Sequence, residues 1–139
     1  MAETSSPETS VHTGRCACGG VQFTVTGELR SVSNCHCDPC RRITGHHMAA
    51  TEADSSTIDF EEKDSLQWWS RTPTVDYGFC GVCGSTLFWR AADKSGSISI
   101  AAGSLDHPTG LRTYEALFVA EAGDYHELDP SLLQRTYDR

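Results

Sequence analysis

The stretch Cys35-His36-Cys37-Asp38-Pro39-Cys40 sets three thiols within six positions of a chain that has seven cysteines in all. No other feature constrains the fold as much, because sulfurs this close must curl back on one point. A borderline-soft divalent ion such as Zn²⁺ holds thiolates at about 2.3 Å and takes four ligands. Three thiols therefore cap one ion and leave a fourth position to another segment, to water or to a substrate, and that position separates a structural from a catalytic site. Asp38-Pro39 reads as a helix start, with Asp38 as N-cap and Pro39 at N1. Cys40 then falls in the first turn, where free N–H groups and the helix dipole favour thiolate.

The remaining cysteines form two flanking pairs. Cys16-Ala17-Cys18-Gly19-Gly20 lies between two strand-like segments, Val11 to Cys16 and Val21 to Thr26, the second with strict apolar/polar alternation. Alternate residues of an extended segment share a side, so Cys16 and Cys18 reach one ion together. Cys80-Gly81-Val82-Cys83-Gly84 is a knuckle whose spacing turns backbone amides toward the sulfurs. The paired spacing favours one division. Cys16, Cys18, Cys80 and Cys83 make a closed four-thiolate site joining hairpins distant in sequence, and Cys35, Cys37 and Cys40 remain as an open three-thiolate site. A fourth ligand such as His46 or His47 would close the second site, and spacing alone leaves the open and closed forms equal. Two zinc ions are expected.

Length and charge narrow the partners. A chain of 139 residues suits one domain, and 11 Lys plus Arg against 19 Asp plus Glu give a formal charge of −8. That balance lacks the basic footprint of a nucleic-acid binder and is repelled by anionic membranes, which leaves small molecules as the expected partners. Met1 to Ser10 has neither a basic n-region nor an apolar run, and nowhere do 18 apolar residues stand together. The expectation is a cytoplasmic protein with a disordered arm over residues 1–10 and a single domain over residues 11–139. In a reducing compartment, and with an odd thiol count, metal ligation is favoured over disulfides.

The rest of the chain reads as mainly β. Ser31 to His36 is expected to be a strand delivering the central cluster, followed by a helix from Pro39 to Thr44 closed by Gly45. Met48 to Thr51, Thr57 to Phe60, Leu66 to Ser70, Val75 to Phe79, Thr86 to Arg90 and Ser97 to Ala101 are short candidate strands, and Asp129-Pro130 is expected to open a terminal helix.

With these residues in place, the chain resembles the glutathione-dependent formaldehyde-activating enzyme family, which includes centromere protein V. The resemblance runs from about Gly14 to Leu128. It rests on Gly14-Arg15-Cys16-Ala17-Cys18-Gly19-Gly20, on Cys35-His36-Cys37-Asp38-Pro39-Cys40-Arg41-Arg42-Ile43-Thr44-Gly45, on Gly78-Phe79-Cys80-Gly81-Val82-Cys83-Gly84, and on Gly103-Ser104-Leu105-Asp106 with Pro108. It implies a β-tent, small antiparallel sheets organised around zinc, with the four-cysteine set structural and Cys35, Cys37 and Cys40 catalytic. It also implies carbon–sulfur lyase chemistry, in which glutathione and formaldehyde are joined as S-hydroxymethylglutathione.

An open zinc can take a substrate thiol as fourth ligand and hold it as thiolate beside a polarised carbonyl. Arg41 and Arg42, next to Cys40, are placed to offset charge or to clamp a carboxylate of an anionic thiol. Of the groups able to move a proton (His36, His46, His47, Asp38 and Tyr114), His46 and His47 are preferred, because His36 sits between two ligands and points away from the metal. Trp68, Trp69, Phe88 and Trp89 suit either a pocket wall or the core. The alternative reading is a zinc-stabilised protein-binding module without catalysis.

Overall fold

Apolar residues at every second position, cut into short runs by Gly, Pro and charged turns, make strands the chief regular structure of this chain. The computed structural model describes residues 10–138. In chain order its elements are β1 (Val11–Arg15), β2 (Gln22–Thr26), β3 (Val32–Cys35), α1 (Asp38–Thr44), β4 (Met48–Asp54), β5 (Ile58–Glu62), β6 (Leu66–Thr72), β7 (Val75–Cys80), β8 (Thr86–Ala91), β9 (Ser97–Ala101), β10 (Thr113–Leu117) and β11 (Leu133–Gln134). The expected arm falls outside the described residues except for Ser10.

The strands form two sheets, a three-stranded one in the order β1-β2-β5 and an eight-stranded one in the order β11-β10-β3-β4-β9-β8-β7-β6. The protein is mainly β, as expected. Antiparallel pairing runs through the small sheet and from β3 to β6, but β10 lies parallel to both β3 and β11. That parallel end was not legible, because β10 must return across the sheet from a sequence-distant segment.

Two apolar clusters sit on opposite faces of the large sheet. Phe23 and Val25 of the small sheet pack on Leu87, Phe88, Ile98 and Ile100, with Cys16 and Cys80 at the margin of the same cluster. Across the sheet, Cys40, Met48, Ala50 and Tyr77 pack with Cys35, Cys37, Val75 and Trp89. Strand alternation explains the split: Met48 and Ala50 of β4 face one cluster, and Ala53 faces the other.

The helix start corrects the sequence expectation. Cys37, not Asp38, occupies the N-cap position and offers no side-chain cap, while Asp38 opens the helix itself. The Asp38 amide instead donates to Glu121 Oε1 at 2.8 Å, so a carboxylate from far along the chain caps α1. Asp38 turns its own carboxylate onto Arg41 and Arg42. The helix closes on Gly45 in the left-handed region, at φ 85°, as expected.

The C-terminal region is the second correction. Asp129-Pro130 opens no helix; Asp129 Oδ1 accepts from the Ser131 amide at 2.9 Å and makes a turn that leads into β11. Buried Glu115 of β10 holds this region down, accepting from Ser33 Oγ at 2.6 Å and from Arg135 Nε at 3.0 Å. From the segment that follows β10, Glu121 reaches the N-terminus of α1, and Tyr125 Oη donates to the Gly45 carbonyl at the other end of the helix.

Candidate metal centres and cavity

The four-cysteine cluster is assembled by two turns. After β1, Cys16 and Cys18 enter a turn in which the Val21 amide donates to Cys16 Sγ at 3.2 Å and the Gly20 amide to Cys18 Sγ at 3.4 Å. At the end of β7, the Val82 and Cys83 amides both donate to Cys80 Sγ at 3.4 Å, and Gly84 turns the chain at φ 80°. Such N–H···S bonds stabilise thiolate and orient it. Cys83 is held down to about 5 by the Ser85 hydroxyl and amide, the hydroxyl lying 3.1 Å from its sulfur.

The sulfur spacing fits a metal. A tetrahedral ion with bonds of about 2.3 Å separates its sulfurs by about 3.8 Å. Here Cys16 and Cys18 lie 3.6 Å apart and Cys18 and Cys80 lie 3.7 Å apart. Cys16, Cys18, Cys80 and Cys83 together could hold an ion, their sulfurs all lying within 4.8 Å of one another. Cys16 and Cys80 are rooted in the core while Cys18 and Cys83 face outward. The cluster thus ties the β1–β2 turn to the β7–β8 turn.

The three-cysteine cluster is made by one junction. β3 delivers Cys35, Cys37 forms the N-cap of α1, and Cys40 is the one buried residue of that helix. Their sulfurs also lie within 4.8 Å of one another and could hold an ion. In the free cluster one negative charge is shared: hydrogen bonds from Cys35 and Cys40 pull Cys37 down to about 3, while the bond to Cys37 pushes Cys35 up to about 12. A dication would allow all three to ionise. Tyr77 Oη lies 3.3 Å from Cys40 Sγ. Burial first, and then the negative charge of the adjoining thiol cluster, hold the Tyr77 phenol protonated, well above the usual phenol range.

These three thiols lie on the wall of a cavity of about 300 Å³. Met48, Ala50, Val75, Tyr77, Trp89 and Leu117 supply apolar surface, and Arg30, Arg71, Lys94, Glu52 and Glu121 supply charge. The cavity beside Cys16 is more polar, with Arg15, Ser85, Thr86, Ser104 and Asp106 in its lining.

The other expected groups fall elsewhere. Arg41 and Arg42 both bind Asp38, at 2.7 and 3.0 Å, and the Arg42 side chain is 70% exposed. His46 and His47 do not line the thiol cavity but gather with His36 and His126, their rings 4.3 Å apart. Burial, then the charges of the neighbouring imidazoles, lower His47 to about 4, and burial likewise lowers His36. Tyr114 lies on β10, exposed. Of the aromatic residues, Trp89 lines the cavity, Phe88 and Trp68 pack together under Arg90, and Trp69 is exposed. Tyr77, Glu121 and His126 were missed. Each reaches its place through sheet pairing or a long return, and no local spacing signals it.

Comparison with known proteins agrees with this geometry. A family model described as glutathione-dependent formaldehyde-activating enzyme matches residues 11–121. No curated protein matches the chain. Among solved structures, a crystal structure of a Rhodobacter sphaeroides protein is similar with a TM-score of 0.60 at 22% identity, covering 73% of this chain and 97% of that one. At that identity the likeness concerns the fold. No helix among the described residues is long and apolar enough to cross a membrane.

Proposed function

Because the chain belongs to the glutathione-dependent formaldehyde-activating enzyme family, we propose that it is a zinc-dependent carbon–sulfur lyase acting on an adduct of a small thiol with formaldehyde or another small electrophile. The observation that carries this reading is the convergence of Cys35, Cys37 and Cys40 on the wall of a cavity of about 300 Å³, a size suited to a small molecule. Cys16, Cys18, Cys80 and Cys83 take the structural ion in this proposal, and the cavity-side cluster takes the catalytic one. The donor set supports zinc, which three thiolates hold while leaving a fourth position for substrate sulfur.

Zinc bound by Cys35, Cys37 and Cys40 would supply Lewis acidity that keeps a substrate thiol ionised at neutral pH. The protein's own groups do the rest. In the adduct-forming direction the sulfur lone pair forms the C–S bond, the carbonyl π pair moves to oxygen, and that oxygen takes a proton; cleavage reverses each movement. Tyr77, protonated and beside Cys40, donates that proton and recovers it in the reverse direction. Arg71 and Lys94, which line the same cavity, attract the carboxylates of an anionic thiol. In this assignment Arg42, tied to Asp38, offsets thiolate charge from the outer face of α1. His46 and His47 brace the segment that carries Cys35 and Cys37.

The test is a thiol titration of the Co²⁺-substituted protein. Glutathione and other cellular thiols are added in turn, with Cys40→Ser as control, and formaldehyde or another small carbonyl is offered to whichever thiol binds. A saturable change in the cobalt spectrum, lost in Cys40→Ser and followed by turnover, supports the lyase. A spectrum unmoved by every thiol rejects it and favours a zinc-stabilised module that binds a protein.

A further inference from the structure

Four of the six histidines gather at one place: His36, His46, His47 and His126. Their position follows from strand alternation. Cys35 and Met48 are register partners on β3 and β4, and both face the thiol cavity. His36 and His47 each stand one residue out of step, so they meet side by side on the opposite face. Their ring centroids are 4.8 Å apart. His126 comes from the segment after β10 and stacks on His36, with centroids 5.5 Å apart and planes at 23°.

Chemistry makes this more than a packing of rings. His36 is 2% exposed, and its Nδ1, like that of His47, is buried with no hydrogen-bond partner. A buried polar nitrogen left bare costs free energy, and two such atoms in one cluster call for a shared partner. One ring nitrogen from each of His36, His47 and His126 lies within 4.8 Å of the others. On a tetrahedral ion with Zn–N bonds of about 2.0–2.1 Å the nitrogens would stand about 3.4 Å apart, so a shift of about an ångström, within reach of a loop residue such as His126, closes the set.

We propose that His36, His47 and His126 form a third metal site, distinct from both thiol clusters, that takes a first-row divalent transition ion of the zinc class. Imidazole donors suit zinc, copper and nickel and disfavour calcium and magnesium, which require oxygen. Three histidines leave a fourth position for water. His46 borders the site with its Nδ1 3.3 Å from Tyr125 Oη, so Tyr125 holds that ring at the rim. An ion here would tie the segment carrying His126 to the strand ends that carry Cys35 and Met48.

The experiment uses the full chain with its thiol clusters already metal-loaded, titrated with Zn²⁺ alone. Ring ¹⁵N resonances of the histidines and calorimetric stoichiometry are followed together. One further equivalent is expected, with the rings of His36, His47 and His126 shifting in concert while those of His12 and His107 stay in place. His126→Ala should lose that equivalent and keep the metal of the thiol clusters; where that variant fails to fold, the wild-type titration decides by itself. No histidine shift, shifts spread over His12 and His107 alike, or an unchanged stoichiometry in folded His126→Ala would each overturn the site.

Discussion

The four-thiol cluster draws its donors from two turns, Cys18 and Cys80 standing 62 positions apart, whereas the three-thiol cluster takes all of its donors from one strand-to-helix junction. In the first, the sulfurs collect backbone amides from their own turns, and the four lie within 4.8 Å of one another. In the second, three sulfurs lie on the wall of a cavity beside a buried phenol. Identical donors thus acquire different work. Under the proposed function, long-range closure would make a clamp, and local closure beside a cavity would leave a position for substrate sulfur.

The largest expected effect tests that contrast directly. Metal binding at a closed thiolate site is largely folding free energy, about 10–16 kcal/mol in small zinc domains, which rivals the whole stability of a domain at about 5–15 kcal/mol. Cys83→Ser is therefore expected to yield an insoluble or unfolded protein. Cys40→Ser is expected to stay folded and to lose one metal equivalent together with thiol binding. Circular dichroism and elemental analysis of both variants check this, and equal loss of soluble protein would break the distinction.

Chelation sharpens the comparison with the natural chain. Under a graded chelator series, the cavity-side ion is expected to leave first with the fold intact, and the second ion only as the protein unfolds. Metal release followed beside near-UV dichroism reads both events. Release of both ions in a single step with unfolding would show that the clusters act as one unit.

How much of this was legible in the chain depends on the range of the contact. The two thiol sets were readable because each pair or triad is local and carries its own turn residues. The strands from β1 to β9 were readable from alternation. Helix α1 was placed, but its cap was not: Asp38 has the residue type of an N-cap, yet its carboxylate is drawn to Arg41 and Arg42, and Glu121 takes the amide. Thr113–Leu117 was missed as a strand because its partner, β3, lies some eighty residues earlier and pairs in parallel. Arg42 was expected to offset thiolate charge or clamp a carboxylate because it stands next to Cys40, and His46 and His47 were preferred as proton-moving groups over His36, which sits between two thiols. Alternation across the strand ends instead collects the histidines away from the cavity lining.

Tyr77→Phe probes the cavity at moderate cost. The ring stays packed and only the hydroxyl beside Cys40 is removed, so stability should change by about 1 kcal/mol or less. Lyase turnover should fall by about 10²–10⁴-fold if the phenol moves the proton, with thiol binding to the cobalt protein nearly unchanged. Turnover within twofold of the parent would remove Tyr77 from the reaction while leaving the cavity assignment intact.

The smallest effect concerns how each cluster is held. The four-thiol cluster is braced by amides of its own turns, whereas the junction bearing the other three thiols depends on a distant residue, since the first helical amide, that of Asp38, donates to Glu121 Oε1 at 2.8 Å. Glu121→Ala removes both that acceptor and a negative charge from the positive end of α1, and the loss of a cap costs about 1 kcal/mol. With a urea dependence of about 1–3 kcal/mol/M, the unfolding midpoint should fall by about 0.3–1 M. The four-thiol ion should be retained fully. The cavity-side ion should bind several-fold more weakly, because its three donors sit on the turn that Glu121 orders. An unchanged midpoint and unchanged metal affinity would show that α1 is held by packing of Cys40 and Ile43 alone, and that the junction is as self-sufficient as the clamp across the sheet.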